Sequence, residues 1–313
     1  KTTTTAMIGK ILIDAKKDPT IIVGSLLKDY KSNFVAGEGG YFVCEACEYK
    51  KSFLNLDPKI IVITHIDNDH LDYYKNLGNI KEAFAKFADK LGKGDFLICD
   101  KKDKNLQVII KKTRSKIIDY SKIKANFKLK IPGGHNIKNA QAAFAVARIL
   151  KISPLVSLKA LNSFTGTWRR FEYKGRTNNG VLIYDDYAHH PTEIKATLKA
   201  AKSFFNQSSR IYCVFQPHLF SRTKLLIKDF AVSFRDADYV IVDDIYAARE
   251  KNDKKITGTK LAEEIKKHNQ NTRYIKSFDL IEKFLRKNVQ KGDIVITMGA
   301  GNIFKVGENL LKK

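Results

Sequence analysis

Short apolar segments alternate with helical segments along the whole chain, and no other feature restricts the possible folds so strongly. The clearest apolar run is Lys59–Thr64, KIIVIT, which has the continuous hydrophobicity of a parallel strand buried on both faces. Asp95–Cys99 and Asp293–Thr297 have the same character, whereas Asn136–Leu150 is an alanine-rich amphipathic helix. Because strands regularly separated by helices form parallel sheets with helices on both faces, the predicted fold class is α/β.

The 313 residues are enough for two domains with separate cores, and the predicted domains are residues 1–166 and 167–313. The other elements predicted in the first domain are the helices Thr3–Ala15 and Leu77–Leu91 and the strands Ile21–Val23 and Gly40–Cys44. Those predicted in the second domain are the strands Val181–Tyr184, Ile211–Phe215 and Tyr239–Val242 and the helices Pro191–Phe205, Lys224–Phe234, Thr257–His268 and Phe278–Asn288.

Composition narrows the class of protein. The apolar content of 43% is typical of a globular chain, and no apolar run approaches the roughly 20 residues that span a bilayer. The formal charge of +24 is carried by lysines along the whole chain without a base-stacking motif, so a nucleic-acid partner is not favoured.

Cys44 and Cys47 form a CxxC, but no second cysteine or histidine pair follows at the spacing of a zinc site. The cysteines are few and unevenly spaced along the chain, which indicates a reducing, cytoplasmic location.

The first five residues, KTTTT, match the second half of a phosphate-binding loop. There a lysine contacts nucleotide phosphates, the next hydroxyl ligates magnesium, and the helix N-terminus favours an anion. The glycines of such a loop would precede Lys1, so we expect a chain cut inside a nucleotide site. The alternative is a threonine-rich helix start that caps its own amides.

Polar clusters follow the predicted strands, where parallel sheets place their ligand sites. EACE at Glu45–Glu48 follows one strand, and THIDNDHLD at Thr64–Asp72 follows another. Together with Lys1 they offer a phosphate binder and hard carboxylate oxygens, which suit an ATP–Mg²⁺ site, and a histidine, which can join such a site when it is neutral. A solvated acidic loop with a satisfied histidine is the alternative. Five further clusters at predicted loops and helix starts are PGGHN, RRFE, DDYAHHPTE, QPHLFSRT and DIYAARE.

These motifs, in this order and together with MGAGNI near the C-terminus, resemble the Mur ligase family from Lys1 to about Leu311. The resemblance implies a central P-loop ATPase-like domain followed by a C-terminal Rossmann-like domain, with the family's N-terminal sugar-nucleotide domain unmatched. It implies a cytoplasmic ligase, monomeric or homodimeric, that uses ATP and Mg²⁺ to join L-alanine to the lactyl carboxylate of UDP-N-acetylmuramate through an acyl phosphate. The alternatives are a ligase that adds a preformed tripeptide to the same sugar nucleotide, and a non-catalytic nucleotide- or nucleic-acid-binding fragment.

The resemblance also implies a role for individual residues. ATP would be bound by Lys1, Thr2, Thr3, Asn136, Asn139, Arg170 and Asp186. Magnesium would be held by Thr2, Glu45 and His70. The sugar nucleotide and amino acid would be bound by Glu48, Tyr187, His189, His218, Arg222, Tyr246 and Arg249. The residues expected to be catalytic are Lys1, Glu45, His70, His189 and Arg222. Leu219 departs from the family pattern, which often has a basic residue there. The missing loop glycines and, above all, the unmatched sugar-nucleotide domain lead us to expect that this chain alone does not carry out the full reaction.

Overall fold

The computed structural model describes residues 1–251 and 253–312. The chain divides into a first unit, Lys1–Trp168, and a second unit, Arg169–Lys313. Helices pack on the two sheets of the first unit and on the single sheet of the second, so the predicted α/β class is confirmed. Within the described residues, no helix has the length and apolar character needed to cross a membrane.

The first unit contains two three-stranded sheets. Its strands are β1 (Thr20–Leu27), β2 (Ser32–Val35), β3 (Phe42–Cys44), β4 (Ile60–Ile63), β5 (Phe96–Cys99) and β6 (Lys116–Asp119). Its helices are α1 (Thr2–Asp14), α2 (Leu71–Tyr74), α3 (Leu77–Ala88), α4 (Gln107–Lys112), α5 (Gly134–Ile149) and α6 (Pro154–Ser163), with 3₁₀ helices at Tyr49–Asn55 and Tyr120–Lys122. One sheet has the order β2-β1-β3, and the other has the parallel order β4-β5-β6.

Helix α1 lies at the centre of the first unit because both of its long sides are apolar. It packs on α5, on α6 and on β1. Its buried residues Met7, Ile11 and Leu12 share one core cluster with Ile21 of β1 and with the alanine face of α5. This packing fixes the amino end of α1, where Lys1 and Thr2 lie.

The second unit contains one six-stranded sheet. Its strands are β7 (Glu172–Arg176), β8 (Leu182–Asp186), β9 (Ile211–Phe215), β10 (Tyr239–Val242), β11 (Thr272–Tyr274) and β12 (Ile294–Met298). Its helices are α7 (Pro191–Phe204), α8 (Phe220–Leu225), α9 (Ile227–Ala231), α10 (Gly258–Lys266), α11 (Phe278–Asn288) and α12 (Phe304–Leu311). The strand order is β11-β10-β9-β12-β8-β7, and only β7 runs antiparallel to its neighbour.

The strand order brings three loops of the second unit together. The chain moves outward from β9 to β11 and then returns to place β12 between β9 and β8. Asp186, Phe215 and Met298 end these neighbouring parallel strands in register. Ligands of open α/β sheets bind at such a reversal of strand order, outside the carboxyl ends of the strands. The segments that follow these three residues are therefore candidates for a site.

The predicted helix Lys224–Phe234 was wrong in detail, because the structure has two short helices, Phe220–Leu225 and Ile227–Ala231, in this region. The expectation of parallel sheets alone was also incomplete, since β2 and β7 pair antiparallel with their neighbours. Both strands are short and lie at sheet edges, where residues are half exposed and the apolar signal of a buried strand is absent.

Candidate functional site

The amino end of α1 carries an ion pair with the EACE segment. Lys1 Nζ lies against both carboxylate oxygens of Glu48, whose side chain is 12% exposed. Burial alone would lower the pKa of Lys1, but the negative charges of Glu48, Glu45 and Asp69 outweigh it and raise the pKa. Lys1 is therefore a fixed positive charge at a helix N-terminus, and both features attract phosphate.

Thr2 contacts the second carboxylate of the same segment. Its Oγ1 donates to Glu45 Oε1 at 2.9 Å, and Oε2 of Glu45 accepts from the Gly24 amide of β1 at 2.6 Å. A methyl group at position 24 would lie 2.8 Å from Oε2, so glycine there leaves room for the carboxylate. The hydroxyl and the carboxylate form a pair of hard oxygen ligands of the kind that Mg²⁺ prefers.

His70 lies on the other side of Glu48. Its Nε2 is 3.9 Å from Glu48 Oε1 and 3.6 Å from Asp69 Oδ2, and one ligand atom from each of the three residues lies within 4.8 Å of the others. Nδ1 of His70 is buried without a hydrogen-bond partner among the described residues. Two carboxylates and an imidazole at this spacing fit a divalent cation with oxygen and nitrogen ligands.

Tyr74 supports this cluster from α2. Its ring is 2% exposed, and its hydroxyl donates to the backbone carbonyl of Glu48. Burial, followed by the charge of Glu48, raises the pKa of Tyr74 to about 12, so the hydroxyl stays protonated and able to donate. The bond therefore helps to hold Glu48 in place.

We expect Tyr74→Phe to lower the free energy of unfolding by about 1 kcal/mol, because the Glu48 carbonyl would lose the Tyr74 donor and keep the Lys51 amide, which donates to it at 2.9 Å. Urea titration of the purified protein measures this. Tyr73→Phe is the matched control, since Tyr73 is 38% exposed, and its expected effect is within about 0.5 kcal/mol. Equal losses for the two variants would contradict a supporting role for Tyr74.

The two asparagines predicted to bind ATP lie at the start of α5 and are connected to α1. Thr4 Oγ1 donates to Asn139 Oδ1 at 3.0 Å, and Asn139 Nδ2 donates to Asn136 Oδ1 at 3.1 Å. Asn136 is buried and donates to the Pro132 carbonyl at 2.7 Å. This chain of bonds fixes both amides relative to the amino end of α1. Thr3, which the sequence also assigned to ATP, lies in the first turn of α1 and is half-buried.

In the second unit, four of the predicted substrate residues form a continuous row of rings. The ring centroids of Tyr187 and His189 are 5.4 Å apart, those of His189 and His218 are 5.9 Å apart, and those of His218 and Tyr246 are 5.7 Å apart. Arg222 Nη1 lies 3.2 Å from His218 Nδ1. Residues from the loops after β8, β9 and β10 thus meet at the carboxyl edge of the sheet.

Leu219 occupies the position where the family often has a basic residue. Its side chain is 2% exposed and its backbone has a φ of 71°. Its amide donates to the Tyr246 carbonyl at 3.0 Å, which ties the β9 loop to the β10 loop. Glu250 adds a second tie by accepting from the Ser221 amide and hydroxyl. Arg249, also predicted at the substrate, is exposed.

Arg170 and Asp186 lie together at the start of the second unit and the end of β8. Asp186 is 6% exposed and accepts from the amides of Phe171 and Ala188, each at 2.7 Å. Burial raises the pKa of Asp186 to about 6, against the opposing effect of Arg170. The Arg170 guanidinium lies 5.3 Å from the centre of the Tyr187 ring.

The raised pKa of Asp186 predicts a pH-dependent stability. The folded state binds the proton of Asp186 more tightly than the unfolded state does. Its contribution to the free energy of unfolding is therefore fully present below about pH 4 and is lost as the pH rises through 6. We expect the free energy of unfolding of the wild type to fall by about 2.5 kcal/mol relative to that of Asp186→Asn between about pH 4 and pH 7, since a tenfold change in proton affinity is worth about 1.4 kcal/mol. Urea titrations across this range measure the difference, and parallel pH profiles for the two proteins would contradict it.

The motifs did not single out three residues that the structure places at these sites. Asp69 belongs to the quoted DNDH loop, but only His70 of that loop was selected. Tyr74 reads as an ordinary helical aromatic, and Gly24 lies in a strand. No local signal identifies Tyr74 or Gly24, because each acts on a residue more than 20 positions away.

Two family domains match the chain. Residues 1–128 match the Mur ligase middle domain, and residues 169–301 match the Mur ligase glutamate ligase domain. A UDP-N-acetylmuramate–L-alanine ligase of Clostridium acetobutylicum is 43% identical over 340 residues, covering 100% of this chain and 74% of the relative. The enzyme of the same name from Caldicellulosiruptor bescii is 45% identical over 341 residues, with the same coverage of both chains.

A solved structure agrees with these relatives. The UDP-N-acetylmuramate-alanine ligase of Thermotoga maritima matches with a TM-score of 0.80 and 26% identity, covering 99% of this chain and 72% of the other. The P-loop-like and C-terminal domain types expected from the motifs are therefore confirmed. Sequence identity over the whole chain, both domain matches and this fold together show that the protein belongs to the Mur ligase family.

Proposed function

We propose that this protein joins L-alanine to the lactyl carboxylate of UDP-N-acetylmuramate with ATP, in the cytoplasm, as a step in the synthesis of a peptidoglycan precursor. The observation that carries the proposal is the meeting of Lys1, Thr2, Glu45, Glu48 and His70 around the amino end of α1. The relatives named as L-alanine ligases add independent support, since they match the chain over its whole length.

A carboxylate is a poor acyl donor, because its oxygen is a poor leaving group. In the proposed first step a carboxylate oxygen of the sugar nucleotide attacks the γ-phosphorus of ATP, the bond to the β–γ bridging oxygen breaks, and ADP leaves. Lys1 would neutralise charge on the transferred phosphoryl group, and the N-terminal amides of α1 would bind its oxygens. Its raised pKa supports this role, because the ammonium stays protonated.

Two groups of residues have the chemistry to hold Mg²⁺. Thr2 and Glu45 form one, and Glu48, Asp69 and His70 form the other. The short spacing of the three ligand atoms, with Nε2 of His70 facing both carboxylates, supports the second group. When bound, the metal would supply positive charge that offsets the phosphate oxygens. This proposal gives Glu48 a metal-ligand role, whereas the resemblance implies a direct substrate contact.

In the proposed second step the amine of L-alanine attacks the acyl carbon, and inorganic phosphate leaves. The amine must lose a proton, and His189 has suitable geometry to accept it. Its Nδ1 lies 3.0 Å from the Tyr187 carbonyl, which can only accept, so the bond requires the proton on Nδ1 and leaves Nε2 as a base. His218, Arg222 and Tyr246 adjoin His189 and would bind the acyl group and the alanine carboxylate.

The test uses the complete gene product with UDP-N-acetylmuramate, Mg²⁺–ATP and L-alanine, and follows both phosphate release and the mass of the sugar nucleotide. We expect phosphate release that depends on alanine, with one alanine residue added per phosphate. Product with a preformed tripeptide instead of alanine would assign the protein to the tripeptide-adding type. Absence of turnover with both would overturn the proposal.

A further inference from the structure

Arg169 precedes Arg170 but has a quite different environment. Its side chain is 3% exposed, and each of the three nitrogens of its guanidinium donates a hydrogen bond. Nε donates to Asp185 Oδ2 at 2.7 Å, Nη1 to the Gly301 carbonyl at 2.8 Å and Nη2 to the Gly299 carbonyl at 2.6 Å. One buried side chain therefore joins the start of the second unit to the end of β8 and to the loop after β12.

The backbone around Arg170 is held on both sides. The Arg169 amide donates to Glu172 Oε2 at 2.9 Å, and its carbonyl accepts from the Tyr187 amide at 2.7 Å. Arg169 has a φ of 55° and Phe171 has a φ of 46°, in the left-handed region. Non-glycine residues keep such angles only where surrounding contacts hold them. The buried guanidinium and the Asp186 carboxylate, which accepts from the Phe171 amide, supply those contacts.

The same bonds extend toward the substrate residues. Gln216 Oε1 accepts from the Asn302 amide at 3.0 Å, and the Gln216 amide donates to the Met298 carbonyl at 3.0 Å. The loop that Arg169 binds through its two glycine carbonyls is thus also bound to the segment that leads to His218. Arg169 connects the proposed nucleotide residues with the proposed amino-acid residues inside one domain.

We propose that Arg169, together with Asp185, is a positioning residue for the ligase reaction: it fixes Arg170 and the loop after β12 in one arrangement. This inference rests on the proposed function. A lysine cannot replace the arginine. The three acceptors lie around a planar guanidinium, one beside each nitrogen, and a single ammonium group cannot reach all three. A small displacement of groups that hold a substrate can cost about 100-fold in rate.

Arg210 provides a matched control. It also pairs with an aspartate, Asp293, through Nε at 3.0 Å and Nη2 at 2.6 Å. These two residues directly precede β9 and β12, at the amino ends of the strands and away from the loops of the site. Arg169→Lys and Arg210→Lys therefore make the same chemical change at opposite edges of one sheet.

The experiment measures kcat and KM for ATP and for L-alanine in the complete gene product, together with urea stability. We expect Arg169→Lys to lower kcat/KM by about 100-fold, with a raised KM for both substrates, and Arg210→Lys to stay within about twofold of the wild type. If both variants lower kcat/KM equally per folded molecule, Arg169 is only structural and the inference is overturned. If the wild type shows no alanine ligation, the proposed function fails instead.

A second variant covers the case in which Arg169→Lys does not fold. Thr297 Oγ1 donates to Asp185 Oδ1 at 2.6 Å from a fully buried position, and Thr297→Val removes this bond together with the longer contact of the same hydroxyl to the Tyr184 carbonyl at 3.3 Å. We expect kcat/KM to fall by about threefold to tenfold, since a lost hydrogen bond is worth about 1 kcal/mol. As in Arg169→Lys, KM should rise for both ATP and L-alanine. Unchanged KM values in this variant would also overturn the inference.

Discussion

Replacing Lys1 with alanine is expected to lower kcat/KM for ATP by about 1000-fold, the largest effect of any single substitution in the first unit. Loss of one positive group that stabilises a transferred phosphoryl group typically costs two to three orders of magnitude. The substitution also leaves Glu48 without its cation beside Asp69 and His70. Steady-state kinetics with varied ATP measures the effect.

Lys10→Ala is the matched control for this experiment. Lys10 lies on the same helix and pairs with Asp14 at 2.6 Å, so the change in net charge and in helix composition is the same. We expect its activity to stay within about twofold of the wild type, because a partly exposed (i, i+4) pair on a helix contributes about 0.5 kcal/mol or less. Similar losses of kcat/KM in both variants would show that activity depends on the net charge of α1 rather than on the position of Lys1.

Glu45→Gln is expected to lower kcat/KM by about 100-fold at low Mg²⁺ and to raise the Mg²⁺ concentration at half-maximal rate by at least about tenfold. The amide keeps an acceptor for the Gly24 amide and nearly the same shape, so the lost charge is the main change. A magnesium titration of the initial rate measures both quantities. Part of the lost rate should return at high Mg²⁺.

Glu38→Gln makes the same change of charge at an exposed position, and we expect its magnesium dependence to match that of the wild type. A Glu45→Gln protein with an unaltered magnesium dependence would exclude Glu45 as a ligand. A loss of rate that no magnesium concentration reverses would point to a role for Glu45 in holding Thr2 and β1, since both are bound to its carboxylate.

Strands with continuous apolar runs were predictable to within about a residue. Ile211–Phe215 and Tyr239–Val242 match the prediction, and KIIVIT contains Ile60–Ile63. Burial on both faces leaves a signal that depends only on nearby residues. The edge strand Glu172–Arg176 lacks that signal, because its polar residues form a strand only through pairing with β8. Pairing partners of this kind cannot be read from a local pattern.

Motif order in the chain alone was sufficient to identify the family and to select Lys1, Glu45 and His70, because each belongs to a recognisable short segment. Tertiary structure decided which groups contact one another. It paired Lys1 with Glu48 across 47 positions and Arg169 with the Gly301 carbonyl across 132 positions. The physical reason is one of range: local propensity and hydrophobic periodicity act over a few residues, whereas ion pairs and hydrogen bonds depend on distances that only the folded chain sets.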